Sequence, residues 1–231
     1  MNFAEYNVQD ANLEEVLLAL KSLDTVEAVA LGGSRSTGAS EENSDYDIYV
    51  YCAEIPTAET RENLLGKYCS IAEFGNHYWE SEDNTVMNNG TPVDIIYREI
   101  DRFGRYIDTV IKGGKAFNGY TTAFWHNIKN SKVLFDKTGT FTKFRDMSQI
   151  DFLENLRSAI IKNNRNLLNG KLPSYDRQIK KAQERGDIVS VNHRITAFLE
   201  SYFDVIFALN RQTQTSEKRQ VQLCKKYCTL L

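Results

Sequence analysis

Apolar and polar residues follow two different rhythms along the chain, and the change comes near residue 146. Before it, short apolar runs stand between helix-patterned stretches. Leu13, Val16, Leu17 and Leu20 recur at helical spacing behind Asn12-Leu13-Glu14-Glu15, a capping residue with glutamate three positions on. Val26 to Leu31 reads as a strand closed by Gly32-Gly33, and Ser34 to Ser44 as a short helix and a polar loop. Asp47 to Cys52, with Tyr49 and Tyr51, reads as the next strand. Glu59 to Tyr68 is helical in pattern and Ser70 to Phe74 strand-like. Trp79 to Gly90 is acidic and turn-rich and predicts a loop, and Val93 to Tyr97 predicts a strand. Arg102 to Lys112 is amphipathic and stops at Gly113-Gly114. Thr121 to Asn130 follows as a helix, and Lys132 to Phe135 as a last strand closed by Asp136-Lys137-Thr138-Gly139.

Beyond residue 146 the period is helical throughout. Phe152, Leu156, Ile160 and Leu167 share one face, and Gly170 and Pro173 break the pattern. Tyr175 to Arg185 forms a second helix, stopped by Gly186. Asp187 caps a long third helix with an expected apolar stripe of Ile195, Phe198, Leu199, Tyr202, Phe203 and Ile206. Lys218 to Cys228 predicts a fourth. The expected organisation is a mixed α/β (α+β) domain over 1–145 and an all-α helical bundle over 146–231.

Composition narrows the function classes. The chain has 231 residues, 42% hydrophobic and 26% charged, ordinary for a soluble globular protein. A net charge of −3 and a pI near 5.7 argue against a protein built mainly to grip nucleic acid. The Met1-Asn2-Phe3-Ala4-Glu5 start has no signal-peptide character, and no apolar run reaches membrane-spanning length. Cys52, Cys69, Cys224 and Cys228 are scattered, as expected for a reducing cytoplasm.

The chemistry concentrates in Leu31-Gly32-Gly33-Ser34-Arg35, in Asp45-Tyr46-Asp47-Ile48-Tyr49, and in Pro92-Val93-Asp94-Ile95-Ile96-Tyr97. Alternate side chains of a strand share a face, so Asp45 and Asp47 point together. Their like charges repel unless a cation lies between them. Mg²⁺ prefers hard oxygen ligands and takes one or two carboxylates plus substrate phosphates. Asp94, flanked by Val93, Ile95 and Ile96, lies near a core, where an unpaired charge is costly. It could complete a two-metal site for an in-line displacement. Gly32 and Gly33 allow close backbone approach, the Ser34 hydroxyl suits a phosphate oxygen, and Arg35 offers charge to a triphosphate. Taken singly, a Gly-Gly-Ser turn and an Asp-x-Asp pair are common; their order and spacing carry the reading.

That order, an apolar strand into Gly-Gly-Ser, then Asp-x-Asp, then a later strand aspartate, resembles the nucleotidyltransferase fold shared with DNA polymerase β. Within it the chain is similar to small bacterial antibiotic-type and related nucleotidyltransferases with an appended helical domain. Arg185-Gly186-Asp187, Phe207-Ala208-Leu209-Asn210 and Glu217-Lys218-Arg219 resemble segments of one such group. Gln214-Thr215-Ser216 departs from the His-Pro-Gly-like turn common there, which leaves any role for Lys218 or Arg219 unsupported.

The resemblance implies a mixed sheet flanked by helices and transfer of a nucleoside monophosphate from an NTP, with ATP the expected donor, to an acceptor hydroxyl. Gly33 and Ser34 would contact the triphosphate. Asp45, Asp47 and Asp94 would be catalytic and hold Mg²⁺. The general base is left open among Asp94, Glu80, Glu82, Asp83 and Glu200. An aminoglycoside or lincosamide is the expected small-molecule acceptor, with the Glu80–Asp83 segment offering acid to a cationic one. Tyr78 and Trp79 could stack on a base or acceptor ring. Protein or tRNA nucleotidylation and a silent nucleotide-binding module are the alternatives, and a homodimer is open.

Overall fold

The computed structural model describes residues 11–38 and 44–230. The expected polar loop around 39–43 and the extreme termini lie outside the described residues. Helix α1 (Ala11–Lys21) buries Leu13, Val16, Leu17 and Leu20, the four positions its periodicity selects. Asn12 lies inside this helix rather than capping it. Then follow β1 (Val26–Leu31), the short α2 (Gly33–Thr37), β2 (Tyr46–Cys52), α3 (Ala58–Leu65) and a 3₁₀ turn at Gly66–Tyr68. The strands β3 (Cys69–Asn76), β4 (Ser81–Met87) and β5 (Pro92–Glu99) lead into α4 (Ile100–Ile111). Helix α5 (Ala123–Asn130), β6 (Lys132–Asp136) and α6 (Thr140–Ser148) follow.

The six strands form one mixed sheet in the order β3-β4-β5-β2-β1-β6. Only the central pair, β2 and β5, is parallel, and it sets Asp47 directly beside Asp94. One sheet face carries Val26, Val29, Leu31, Ile48, Val50, Val93 and Ile95, packed with α1 and Leu65 of α3 into a continuous hydrocarbon core. Each such side chain contributes about 1.5–3 kcal/mol by leaving water. On the other face, Tyr51 packs against Phe103 of α4 and Phe141 of α6, with ring centroids 5.1 and 4.3 Å apart.

Strand β4 overturns the expected loop at Trp79–Gly90. Its sequence, Ser-Glu-Asp-Asn-Thr-Val-Met, lacks the apolar alternation that signals a strand, because polar side chains have partners on both faces. Asp83 is bonded by the Gly75 N–H at 2.9 Å, and the Thr85 hydroxyl donates to the Val93 carbonyl at 2.8 Å.

Two compact units divide the chain: Met1–Arg105 with Asn127–Ser148, and Tyr106–His126 with Gln149–Leu231. The expected boundary at 145 runs along the sequence, whereas these units are discontinuous. The grouping of Tyr106–His126 with the later helices has visible causes. Tyr106 stacks on Phe117, the Gly119 N–H donates to Asn164 Oδ1 at 3.0 Å, and the Thr121 hydroxyl donates to Asp204 Oδ2 at 2.7 Å.

The helical unit adds α7 (Glu154–Arg165), a π turn at Asn166–Gly170, α8 (Tyr175–Glu184), α9 (Ile188–Leu209) and α10 (Gln220–Tyr227). Asp187 caps α9, accepting from the Ser190 N–H at 3.0 Å. The buried face of α9 differs from the expected stripe. It is Val191, Ser201, Asp204, Phe207 and Ala208, while Ile195, Leu199 and Tyr202 are exposed. Asp204 decides that rotation. Its Oδ2 accepts from Thr121 and, at 3.0 Å, from Asn164 Nδ2. Burial pushes the Asp204 carboxyl up to about 7 against these two opposing hydrogen bonds.

Candidate active site

The parallel pairing of β2 with β5 places Asp47 and Asp94 at one register level, and Asp45 lies two residues before Asp47 on the approach to β2. Carboxylate oxygens of Asp45, Asp47 and Asp94 come within 4.8 Å of one another, and all three residues are half-buried. Three anions this close suit a divalent cation that takes an oxygen from each. The donor set is all hard oxygen, which matches Mg²⁺ or Mn²⁺ in preference to softer metals.

The Gly-Gly turn is built against this cluster. The Gly32 N–H donates to the Asp47 carbonyl at 2.9 Å, fixing the turn to β2. Gly33 has φ +61°, and a Cβ there would lie 1.7 Å from Asp47 Oδ2. Gly32 is equally constrained, since a Cβ would lie 2.0 Å from the Tyr49 ring. The turn therefore approaches the Asp47 carboxylate at a distance only glycine permits. Ser34 follows in the first turn of α2. Arg35 is directed to the chain itself: its Nε donates to the Ser44 and Asp45 carbonyls at 3.0 and 3.1 Å, its Nη2 donates to Ser44, and it stacks on the Tyr46 ring at 4.0 Å. It ties down the segment that delivers Asp45.

Residues 13–117, which include every residue of the turn and the three aspartates, match the family model described as a nucleotidyltransferase domain. The chain carries a nucleotidyltransferase domain. No curated protein sequence matches it. Among solved structures, it is similar to a nucleotidyltransferase-like protein from Exiguobacterium sibiricum 255-15, at 9% identity and a TM-score of 0.44, over 94% of this chain and 61% of that one. An aminoglycoside 6-adenyltransferase from Bacillus subtilis gives 12% identity and a TM-score of 0.34, over 96% of this chain and 76% of that one. The chain thus spans less than two thirds of the first of these.

In the nucleotidyltransferase domain, the acids of the Glu80–Asp83 segment separate. Asp83 is fully buried on the hydrocarbon face and meets Arg61 of α3 at 3.2 Å. It is unavailable as a base or as an acceptor contact, contrary to the expectation of an exposed acidic loop. Glu80 binds Arg98 through both oxygens, each at 2.7 Å. Arg98 in turn lies over the Tyr49 ring at 4.4 Å and donates to the Tyr51 hydroxyl at 3.3 Å. Burial would lower the Arg98 pKa, but Tyr51 and the bound Glu80 outweigh it and hold it above its usual value. Burial also pushes the Tyr49 phenol up; Arg98 opposes this and Asp47 adds to it. A stack of Gly32, Tyr49, Arg98 and Glu80 thus supports the turn from beneath.

Glu82 is the acid that alternation leaves on the Asp94 side of β4. Burial first, and then the Asp94 carboxylate, raise its pKa. Tyr78 and Trp79, at the β3–β4 turn, are 81% and 86% exposed. Glu200 belongs to the helical unit, where burial raises its pKa.

Sequence reasoning missed the neighbour of Asp94. Asn84 pairs with Asp94 across β4 and β5, and its Nδ2 donates to Asp94 Oδ1 at 3.0 Å. The signal was present as Asn84 in an i, i+2 series with Glu82, but reading the segment as a loop removed any basis for assigning faces.

Proposed function

We propose that the protein transfers a nucleoside monophosphate from an NTP, with ATP the preferred reading, to an acceptor hydroxyl, releasing pyrophosphate. The observation that carries this is the convergence of Asp45, Asp47 and Asp94 beneath a glycine turn that touches the Asp47 carboxylate. The acceptor oxygen forms a bond to the α-phosphorus as the bond from that phosphorus to the oxygen of the leaving pyrophosphate breaks. The acceptor proton passes to a base on the Asp94 side, for which Asp94 and Glu82 are the candidates. Divalent cations bound by the three aspartates would neutralise phosphate charge and favour the ionised acceptor oxygen. Gly33 and Ser34 line the triphosphate through their backbone N–H groups and the Ser34 hydroxyl, while Gly32, whose N–H is held by the Asp47 carbonyl, supplies the close approach of the turn. Arg35 acts through the backbone it holds rather than by touching phosphate.

For the acceptor, we favour a hydroxyl of a cationic small molecule of the aminoglycoside type, with a lincosamide as the related case. The support is Glu82, which the strand register sets on the Asp94 face of the sheet two residues from Asn84, so that this face offers an acidic contact to an ammonium group. This reading makes the protein an antibiotic-modifying enzyme of the cytoplasm, where NTP and Mg²⁺ are found. Among the described residues no helix is long and apolar enough to cross a membrane.

The test is pyrophosphate release from each NTP with Mg²⁺ across a panel of hydroxyl-bearing drugs. Turnover with a cationic member is expected. Label passing from ATP into protein or tRNA instead would replace the drug reading, and NTP binding without transfer to any acceptor would leave a silent module.

A further inference from the structure

We propose that Asn84 is the positioning residue for Asp94, and that a polar relay across β3, β4 and β5 sets the direction in which that carboxylate presents its metal-binding oxygen. The proposal rests on the reading of Asp45, Asp47 and Asp94 as a metal site.

Asn84, Asp94 and Asp47 lie at one level across β4, β5 and β2. The Asn84 amide has two chemically different ends. Its Oδ1 accepts from Asn76 Nδ2 at 2.7 Å, and its Nδ2 donates to Asp94 Oδ1 at 3.0 Å. Asn76 Nδ2 also reaches Glu73 Oε2 at 3.4 Å. An amide flipped the other way would set its oxygen against the Asp94 carboxylate and its NH₂ against that of Asn76. The relay therefore fixes the amide, and the amide fixes Asp94.

Asp94 needs this support because Asp45 and Asp47 come within 4.8 Å of it. Mutual repulsion favours rotation of Asp94 away from them. The Asn84 donor on Oδ1 opposes that rotation. Partners that orient a metal-binding side chain typically carry about 10–100-fold of metal affinity. Asn84 itself touches neither acceptor nor phosphate in this account; it acts through Asp94.

The test is Mn²⁺ binding to the full-length protein without nucleotide, read by electron paramagnetic resonance, with melting temperature measured alongside. Asn84→Leu keeps the size and removes the donor. It should weaken Mn²⁺ binding about 10-fold or more while melting close to wild type. Asn76→Ala, which frees the amide without removing it, should weaken binding by a smaller factor, and it serves if Asn84→Leu fails to fold. Asp94→Asn is the control. If Asp94→Asn loses Mn²⁺ but both asparagine variants bind it as wild type does, the positioning role is overturned and the metal reading stands. If wild type and Asp94→Asn bind Mn²⁺ alike, the metal reading falls and takes this proposal with it.

Discussion

Glu82 and Asp83 are adjacent in the chain and end on opposite faces of the sheet, and the two faces treat carboxylates differently. On the hydrocarbon face, Asp83 is buried against Arg61, so the fold supplies its cation. On the other face Glu80 is likewise matched by Arg98, but Asp45, Asp47 and Asp94 converge on one another, with Glu82 on the same side of β4 as Asn84. An acid matched by an arginine of the same fold serves structure. Acids gathered together serve something brought from outside. The helical unit shows a third solution in Asp204, which is held by a hydroxyl and an amide and has its pKa pushed up to about 7.

The contrast breaks most visibly at Asp47. Asp47→Asn should reduce transfer by about 1,000-fold or more, since on the proposed reading cations held by the three aspartates would supply several kcal/mol at the reacting centre. Pyrophosphate release measures this, and circular dichroism should show the fold intact. On the opposite face the effect should fall on stability. Arg61→Met leaves Asp83 buried without its cation and should cost about 3–5 kcal/mol in urea denaturation. Arg61→Met combined with Asp83→Leu should recover most of that loss, because hydrocarbon suits that face.

Asp204 sharpens the comparison through pH. Its folded pKa is raised above the ordinary value, so the protonated form is the one folding favours. That stabilisation is fully present below about pH 4 and is lost as pH rises through about 7. A shift of this size corresponds to about 4 kcal/mol between the two ends of that window. Denaturation at pH 5 and pH 8 should show more than half of that loss in wild type and a much flatter profile in Asp204→Asn. The smallest effect expected is at the turn. Gly33→Ala must displace the Asp47 carboxylate at a positive φ, and should lower transfer about 10–100-fold by misplacing one ligand, with about 1 kcal/mol of stability lost.

Much of this was legible in the sequence wherever hydrocarbon decides position. Val26–Leu31, the Gly32-Gly33 turn, the strands of Asp47 and Asp94 and the buried face of α1 all follow from apolar spacing. Strand β4 was not legible, because its faces are sorted by Arg61 on one side and by Asp94 on the other. Both lie far from it in sequence or depend on a pairing that the segment does not announce. The rotation of α9 was missed for a similar reason: Asp204 answers to Thr121 and Asn164 rather than to an apolar period. Arg35 shows a related limit: its place beside the turn is plain in the sequence, but its bonds to the Ser44 and Asp45 carbonyls follow only from the fold.

The central claim is that Asp45, Asp47 and Asp94 hold a cation together with an NTP. The most direct measurement is the melting temperature of wild type and Asp47→Asn with and without Mg²⁺-ATP. Wild type should gain several degrees from saturating Mg²⁺-ATP, by the usual linkage of binding to stability. Asp47→Asn should melt at or slightly above wild type when both are free of metal, since a repelling charge is gone, and should gain almost nothing on addition. An equal gain in both proteins would contradict the account.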